Sequence, residues 1–187
     1  MAAGMTIARD DLERFSNAFD QAVRDTLKPE DLEAAITTDG PLAPEELNLD
    51  TAYLLSIVPL VQDRLKTLKP DEVWALTSFF LVDDLEYEAD SLVPRGMDRT
   101  ATRAALEATD DALKPLSSFD AQTLEGVLRS LTEDLHLKTR ELFGAVRVAV
   151  TGSSAAPPLF DTLAVLGSER VLHRLRHVIA MLANNSS

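Results

Sequence analysis

From Thr6 onward, apolar residues recur at spacings of three and four, and prolines and glycines cut that rhythm into short lengths. Such spacing puts one apolar stripe on each α-helix. No stretch alternates apolar and polar residues long enough to make a strand. Leu12, Phe15, Phe19, Val23 and Leu27 form the first stripe, which Pro29 ends; "PEDLEAAI" opens a short helix with proline and acid in its first turn. Tyr53 to Leu68 is apolar on more than one side, which predicts a buried helix kinked or bounded at Pro59. Pro70 starts another helix that buries Trp74, Phe79 and Phe80. The expected class is all-α, a bundle of two packed helical subdomains.

The pattern lapses in "DDLEYEADSLVPRGMD", which has few core positions and a Pro-Arg-Gly turn. A boundary between Asp83 and Asp98 is therefore expected, giving an acidic subdomain over 1–90 and a second over 91–187, with Leu92 to Gly96 an exposed, protease-sensitive loop. Asp98 and Asp120 stand where N-caps belong, before helices reaching Leu113 and Leu135. A helix around Leu142 to Val150 is stopped by Gly152. Ser168 caps a last helix whose stripe is Val171, Leu172, Leu175, Val178, Ile179 and Leu182.

The chain has 187 residues, 45% of them hydrophobic, and no cysteine, so disulfides, thiolate metal sites and cysteine nucleophiles are excluded. Its apolar runs are too short to span a bilayer, and its start lacks the basic and apolar regions of a secretory signal. A soluble, cytoplasmic monomer that engages neither membrane nor DNA is expected. The net charge of −13 speaks against a broad nucleic-acid-binding face. That charge is uneven: residues 1–94 carry 7 Lys and Arg against 20 Asp and Glu, whereas residues 95–187 carry 11 of each. Any RNA contact should be a small patch in the neutral half, while the acidic half suits a basic protein partner.

Candidate chemistry is sparse. His173 and His177 stand four apart, a spacing that can share a metal, but "HRLRH" surrounds them with cations and reads as a solvated basic helix face. His136 is remote from that pair. Asp83, Asp84, Glu86 and Glu88 read as an acidic loop at a helix end, since adjacent acids on a helix point apart. No glycine spacing suits a phosphate loop, and the serines of "GSSAAP" lack a nearby base. No catalytic residue and no metal or cofactor site is expected in this chain, which shifts weight to binding.

The stretch "RVAVTGSSAAPPLFDTLAVLG", Arg147 to Gly167, carries the binding argument. A helix start near Pro157 and Pro158 exposes unpaired N–H groups, small residues let a flat ring approach the backbone, and Leu159 can lie against a base. Arg147, one helix upstream, can reach the same surface. The plainer alternative is a tight helix–loop–helix corner in which Pro157, Leu159 and Phe160 fill a core.

"LFGAVRVAVTGSSAAPPLFDTLAVLGSERVLHRL" resembles the C-terminal signature of bacterial-type glutamyl-tRNA synthetases, class I enzymes with an "LRVALTG" helix, a small loop, "PPLFE" and "LLGKERVLARL". "VPLVQDRLKTLKPDEVWALTSFFLVDDLEYE" and "FDAQTLEGVLRSLTEDLHLKTRELFG" are similar to upstream segments of that family, so the resemblance runs from about residue 48 to residue 182. The HIGH-type and KMSKS-type motifs that handle ATP and adenylate have no counterpart. The resemblance implies an anticodon-binding region for glutamate tRNA, in a parent enzyme that ligates glutamate using ATP and magnesium. It further implies that Arg64 helps select the third anticodon base, as in tRNA-discriminating members. Arg147 would contact the first two bases, with Ala156, Pro157 and Leu159 packing on them. The family often has threonine or serine where Ala156 stands, which shifts weight to backbone contacts. A protein-interaction or regulatory module reusing the fold is the alternative.

Overall fold

The computed structural model describes residues 51–61, 64, 70–82, 85–88 and 91–184. The chain divides into two compact units, Met1–Ser78 and Phe79–Ser187. The helices expected before residue 37 lie outside the described residues. All regular structure among the described residues is helical.

In the first unit, α1 (Thr51–Val61) buries Ile57, Val58 and Val61. Pro59 lies inside it, and of the expected continuation beyond Val61 to Leu68 only Arg64 is among the described residues. Helix α2 (Pro70–Leu81) crosses the division, and its last turn, with Phe79 and Phe80 buried, belongs to the second unit. The side chain of Trp74 lies outside the described residues.

The second unit is a four-helix assembly of α3 (Arg99–Leu113), α4 (Ala121–Asp134), α5 (Thr139–Thr151) and α6 (Leu159–Asn184), with α6 packed on the other three. Its starts agree with the expected chemistry. The Asp98 carboxylate accepts the Ala101 N–H at 2.7 Å. Asp120 accepts the Ser118 hydroxyl at 2.6 Å, the Thr123 N–H at 2.9 Å and the Thr123 hydroxyl at 2.7 Å. Those donors, the Ser118 hydroxyl foremost, hold its carboxyl well below the usual carboxylate range.

Helix α4 ends in a Schellman motif, with Leu137 N–H bonded to Thr132 O at 3.0 Å and His136 N–H to Glu133 O at 3.1 Å. His136 occupies the left-handed position there, at φ 53°. Helix α6 breaks at Gly167 (φ 76°, ψ 162°), so Leu159, Leu163 and Leu166 form one inward stripe and Val171, Leu175, Val178 and Leu182 a second, after Ser168.

Residues 85–88 and 91–98 differ from the expected boundary loop. Leu92 is only 3% exposed, and Tyr87 donates its hydroxyl to Ala149 O at 2.8 Å. Pro94 to Met97 closes a turn with Met97 N–H on Pro94 O at 3.0 Å. Gly96 takes φ 99°, and a Cβ there would lie 3.0 Å from the Glu141 carboxylate. The turn thus abuts the start of α5, and only Arg95 and Gly96 within Leu92–Gly96 are exposed. The division at Ser78/Phe79 falls earlier than the expected 90/91, and residues 85–88 and 91–98 pack with the helices of the second unit.

Arg174 also departs from the expected solvated face. It belongs to "HRLRH", whose cations suggest a solvated face, yet it is 1% exposed. Its Nη1 donates to Val150 O at 2.6 Å, and its Nη2 to Phe79 O at 2.8 Å and to Val82 O. Arg170 adds a 2.8 Å bond from Nη1 to Phe80 O. The outward part of the motif is His173, Arg176 and His177, with Arg176 paired to Asp110 at 2.9 Å.

This packing sets two expected outcomes. Arg174→Met strips donors from three carbonyls and should cost at least ~3 kcal/mol in urea unfolding. Arg174→Lys should recover only part of that, because an ammonium cannot fork between them. His136→Gly should raise stability by about 1 kcal/mol, since it relieves a left-handed side chain in an exposed cap. Unchanged unfolding midpoints would contradict either statement.

Candidate nucleic-acid interface

The corner between α5 and α6 is built from the way α5 ends. Gly152 takes the left-handed conformation (φ 72°) and returns its N–H to Val148 O at 2.8 Å. The next two carbonyls are met from elsewhere in the unit, Ala149 O by the Tyr87 hydroxyl and Val150 O by Arg174. Thr151 Oγ1 sits 2.8 Å from Arg147 O and 2.9 Å from Ser153 O, and accepts the Ser153 N–H at 3.2 Å. Every one of these contacts stiffens the chain as it leaves the helix. A Cβ on Gly152 would also stand 3.4 Å from the Glu86 carbonyl oxygen, so the residue satisfies both a positive φ and a close neighbour.

Beyond Gly152 the corner has two sides. Ser153, Ser154, Ala155 and Pro158 are exposed, with the Ala155 N–H on Ser153 Oγ at 3.1 Å. Ala156, Pro157 and Leu159 are buried, Leu159 to 4% exposure. The apolar stacking surface expected of Leu159 is therefore absent. The physical reason is register: Leu159 precedes Leu163 by four and Leu166 by seven, which makes it the first rung of the inward stripe of α6. The plainer reading of Pro157 and Leu159 as core residues holds. Phe160, grouped with them, is instead half-exposed.

Arg147 is half-buried, one turn before the end of α5. Arg147, Ala156, Pro157 and Leu159 all belong to the second unit, whereas Arg64 is exposed in a 3₁₀ turn of the first. An open groove of about 520 Å³ flanks the corner, with Glu86, Tyr87, Glu88 and Ser91 on one side and Gly152, Ser153 and Ser154 on the other. Tyr87 stacks on His177 at 5.9 Å between ring centroids. Glu86 and Glu88 lie, as expected, in a loop past the end of α2, and there they line the groove; Asp83 and Asp84 lie outside the described residues. Residue spacing carries no sign of this groove, because its walls come from segments more than sixty residues apart.

The sequence profile of the anticodon binding domain family matches residues 18–179. This chain belongs to that family. Among curated relatives, the glutamate–tRNA ligase of Roseiflexus castenholzii is 47% identical over 144 residues, covering 77% of this domain and 27% of that protein. That of Chloroflexus aurantiacus is 44% identical over 138 residues, or 72% and 27%. That of Herpetosiphon aurantiacus is 30% identical over 184 residues, or 98% and 37%. This anticodon-binding domain thus spans about a quarter to a third of the length of these relatives. Two solved structures share its fold. A glutamate tRNA ligase from Elizabethkingia meningosepticum superposes at a TM-score of 0.62, with 15% identity over 91% of this domain and 31% of that chain. Glutamate-tRNA synthetase from Elizabethkingia anophelis does so at 0.53, with 17% identity over 95% and 33%.

Gly152→Ala should cost about 1–2 kcal/mol in urea unfolding, the usual penalty of a left-handed side chain, with helical circular dichroism retained. A variant as stable as the parent would show that the corner does not need this backbone conformation.

Proposed function

We propose that the domain holds the anticodon loop of a glutamate-accepting tRNA, as the anticodon-binding part of a glutamate–tRNA ligase. One arrangement carries the reading. In a chain of the anticodon-binding family, Arg147 stands one turn before a braced corner whose outer side consists of serine hydroxyls and backbone. Unpaired bases are read at their edges by such groups, and a guanidinium offers planar donors to base nitrogen and oxygen acceptors.

Burial changes the part assigned to three residues. Ala156, Pro157 and Leu159 act by shape, keeping the backbone of Ser153 to Ala155 at the surface. Arg64, exposed in the first unit, is assigned to selection of the third anticodon base, as in a ligase that discriminates glutamate tRNA. Few phosphate contacts are needed from so acidic a chain. Adenylate chemistry, with its ATP and magnesium, is assigned to parts of the parent enzyme outside these 187 residues, in the cytoplasm. No cofactor is assigned to the domain itself, which is taken to act as a monomer.

The acidic first half supports a second reading, a module that docks a basic protein. Titration of fluorescent anticodon stem–loops separates the two. The isolated domain should bind weakly and with a shallow salt dependence, and it should prefer glutamate anticodons. Arg147→Ala should weaken binding about tenfold, as expected for one lost base contact, with unchanged helical circular dichroism. Binding indifferent to anticodon sequence would favour the protein-docking reading. Loss of helix in the variant would make Arg147 structural.

A further inference from the structure

One side chain outside the corner braces it. Tyr87, in the segment after α2, donates its hydroxyl to Ala149 O at 2.8 Å. Its ring stacks on that of His177 in α6, with centroids 5.9 Å apart and planes 25° apart. Leu85 and Glu86 lie against Gly152: a Cβ on that glycine would stand 3.4 Å from the Glu86 carbonyl oxygen and 4.0 Å from Leu85 Cδ1. Residues 85–88 therefore form a strap along the end of α5.

In a regular helix the Ala149 carbonyl would accept the N–H of residue 153. Here the Ser153 N–H goes to Thr151 Oγ1 at 3.2 Å, and the Gly152 N–H to Val148 O at 2.8 Å. The left-handed turn at Gly152 thus leaves Ala149 O and Val150 O to donors from elsewhere, Tyr87 and Arg174. These donors differ in what else they hold. Arg174 is buried and also donates to Phe79 O and Val82 O, so its loss unsettles the core. Tyr87 is half-buried, and a neutral hydroxyl bond is a small part of a domain's stability.

Arg147 stands two residues before Ala149, and Ser153 four after it. Thr151 Oγ1 already joins those two levels, 2.8 Å from Arg147 O and 2.9 Å from Ser153 O. A donor that fixes Ala149 O between them also fixes the spacing of the guanidinium and the outward backbone. An end of α5 free to fray would divide the domain between arrangements, and apparent affinity falls with the fraction in the one that binds.

We propose that Tyr87 is a positioning residue for RNA-loop binding. Without touching the RNA, its hydroxyl holds the last turn of α5 so that Arg147 and the backbone of Ser153 to Ala155 are presented together. This rests on the anticodon-loop reading above and adds to it a residue outside the contact surface.

The test uses the full 187-residue chain, first without RNA and then with an anticodon stem–loop. Tyr87→Phe keeps the ring and deletes the hydroxyl. In the free protein, hydrogen exchange at the Gly152 amide should quicken about fivefold relative to amides of α3, as expected for one lost hydrogen bond at a helix end. Stem–loop binding should weaken by about the same factor. In an Arg147→Ala background the same change should cost little, because residues acting through one arrangement are not additive. Parent-level affinity in Tyr87→Phe, or weaker binding with unchanged exchange at Gly152, would overturn the assignment. So would an undiminished effect in the Arg147→Ala background, the mark of an independent contact, or equally faster exchange throughout α3 and α5, the mark of a general loss of stability. If Tyr87→Phe binds like the parent while Arg147→Ala binds weakly, the loop-reading function survives. Failure of the parent domain to bind any stem–loop would overturn both.

Discussion

A single buried guanidinium ties together the helix ends and the corner of the second unit. Arg174 sits where the carbonyl ends of α2 and α5 converge and donates to Phe79, Val82 and Val150. Taking a guanidinium out of water costs several kcal/mol unless its donors are used. Here the partners are carbonyls at helix C-termini, where the aligned peptide dipoles concentrate negative charge. The same bonds satisfy carbonyls that α2 and α5 would otherwise leave unpaired on burial. Removing the arginine leaves both ends unsatisfied at once.

The corner inherits its rigidity from this arrangement. With Ala149 O and Val150 O held from outside the helix, and Val148 O by Gly152, α5 stops at one defined place. The chain then turns through a left-handed glycine and presents Ser153 to Ala155 outward, while Ala156, Pro157 and Leu159 pack inward. Tyr87 links segment 85–88 to the same helix end, which is why that segment becomes a wall of the groove instead of a tether between subdomains. Preorganisation of this kind spares any binding surface the entropic cost of ordering itself around a ligand.

Much of the local organisation is legible in the residues. Asp98 and Asp120 cap helices where their positions before apolar stripes predict, Gly152 ends α5, and Phe79 and Phe80 are core. These features depend on neighbours within a few positions. The family is legible too, through a long and nearly gapless resemblance over residues that the anticodon-binding match also covers. Register explains the partial failures. The loop setting of Leu159 suggests a surface for bases, but its spacing to Leu163 and Leu166 puts it on the inward stripe. The basic surroundings of Arg174 suggest solvation, but it stands three after Val171 and four before Val178, a core position for any side chain that can be satisfied there.

By itself, then, the order of residues determined the helical class, most helix starts and stops, the acidic first half and the family. Each arises from periodicity, capping and charge, which act over a turn or two of chain. Only the tertiary structure decided that Arg174 is a core residue, that residues 85–88 and 91–98 pack with the second unit, and that aromatic rings from α5 and α6 meet beneath Arg129. Those outcomes rest on carbonyls and ring faces brought together from segments distant in the chain, and nothing in the local spacing specifies which distant donor will meet them.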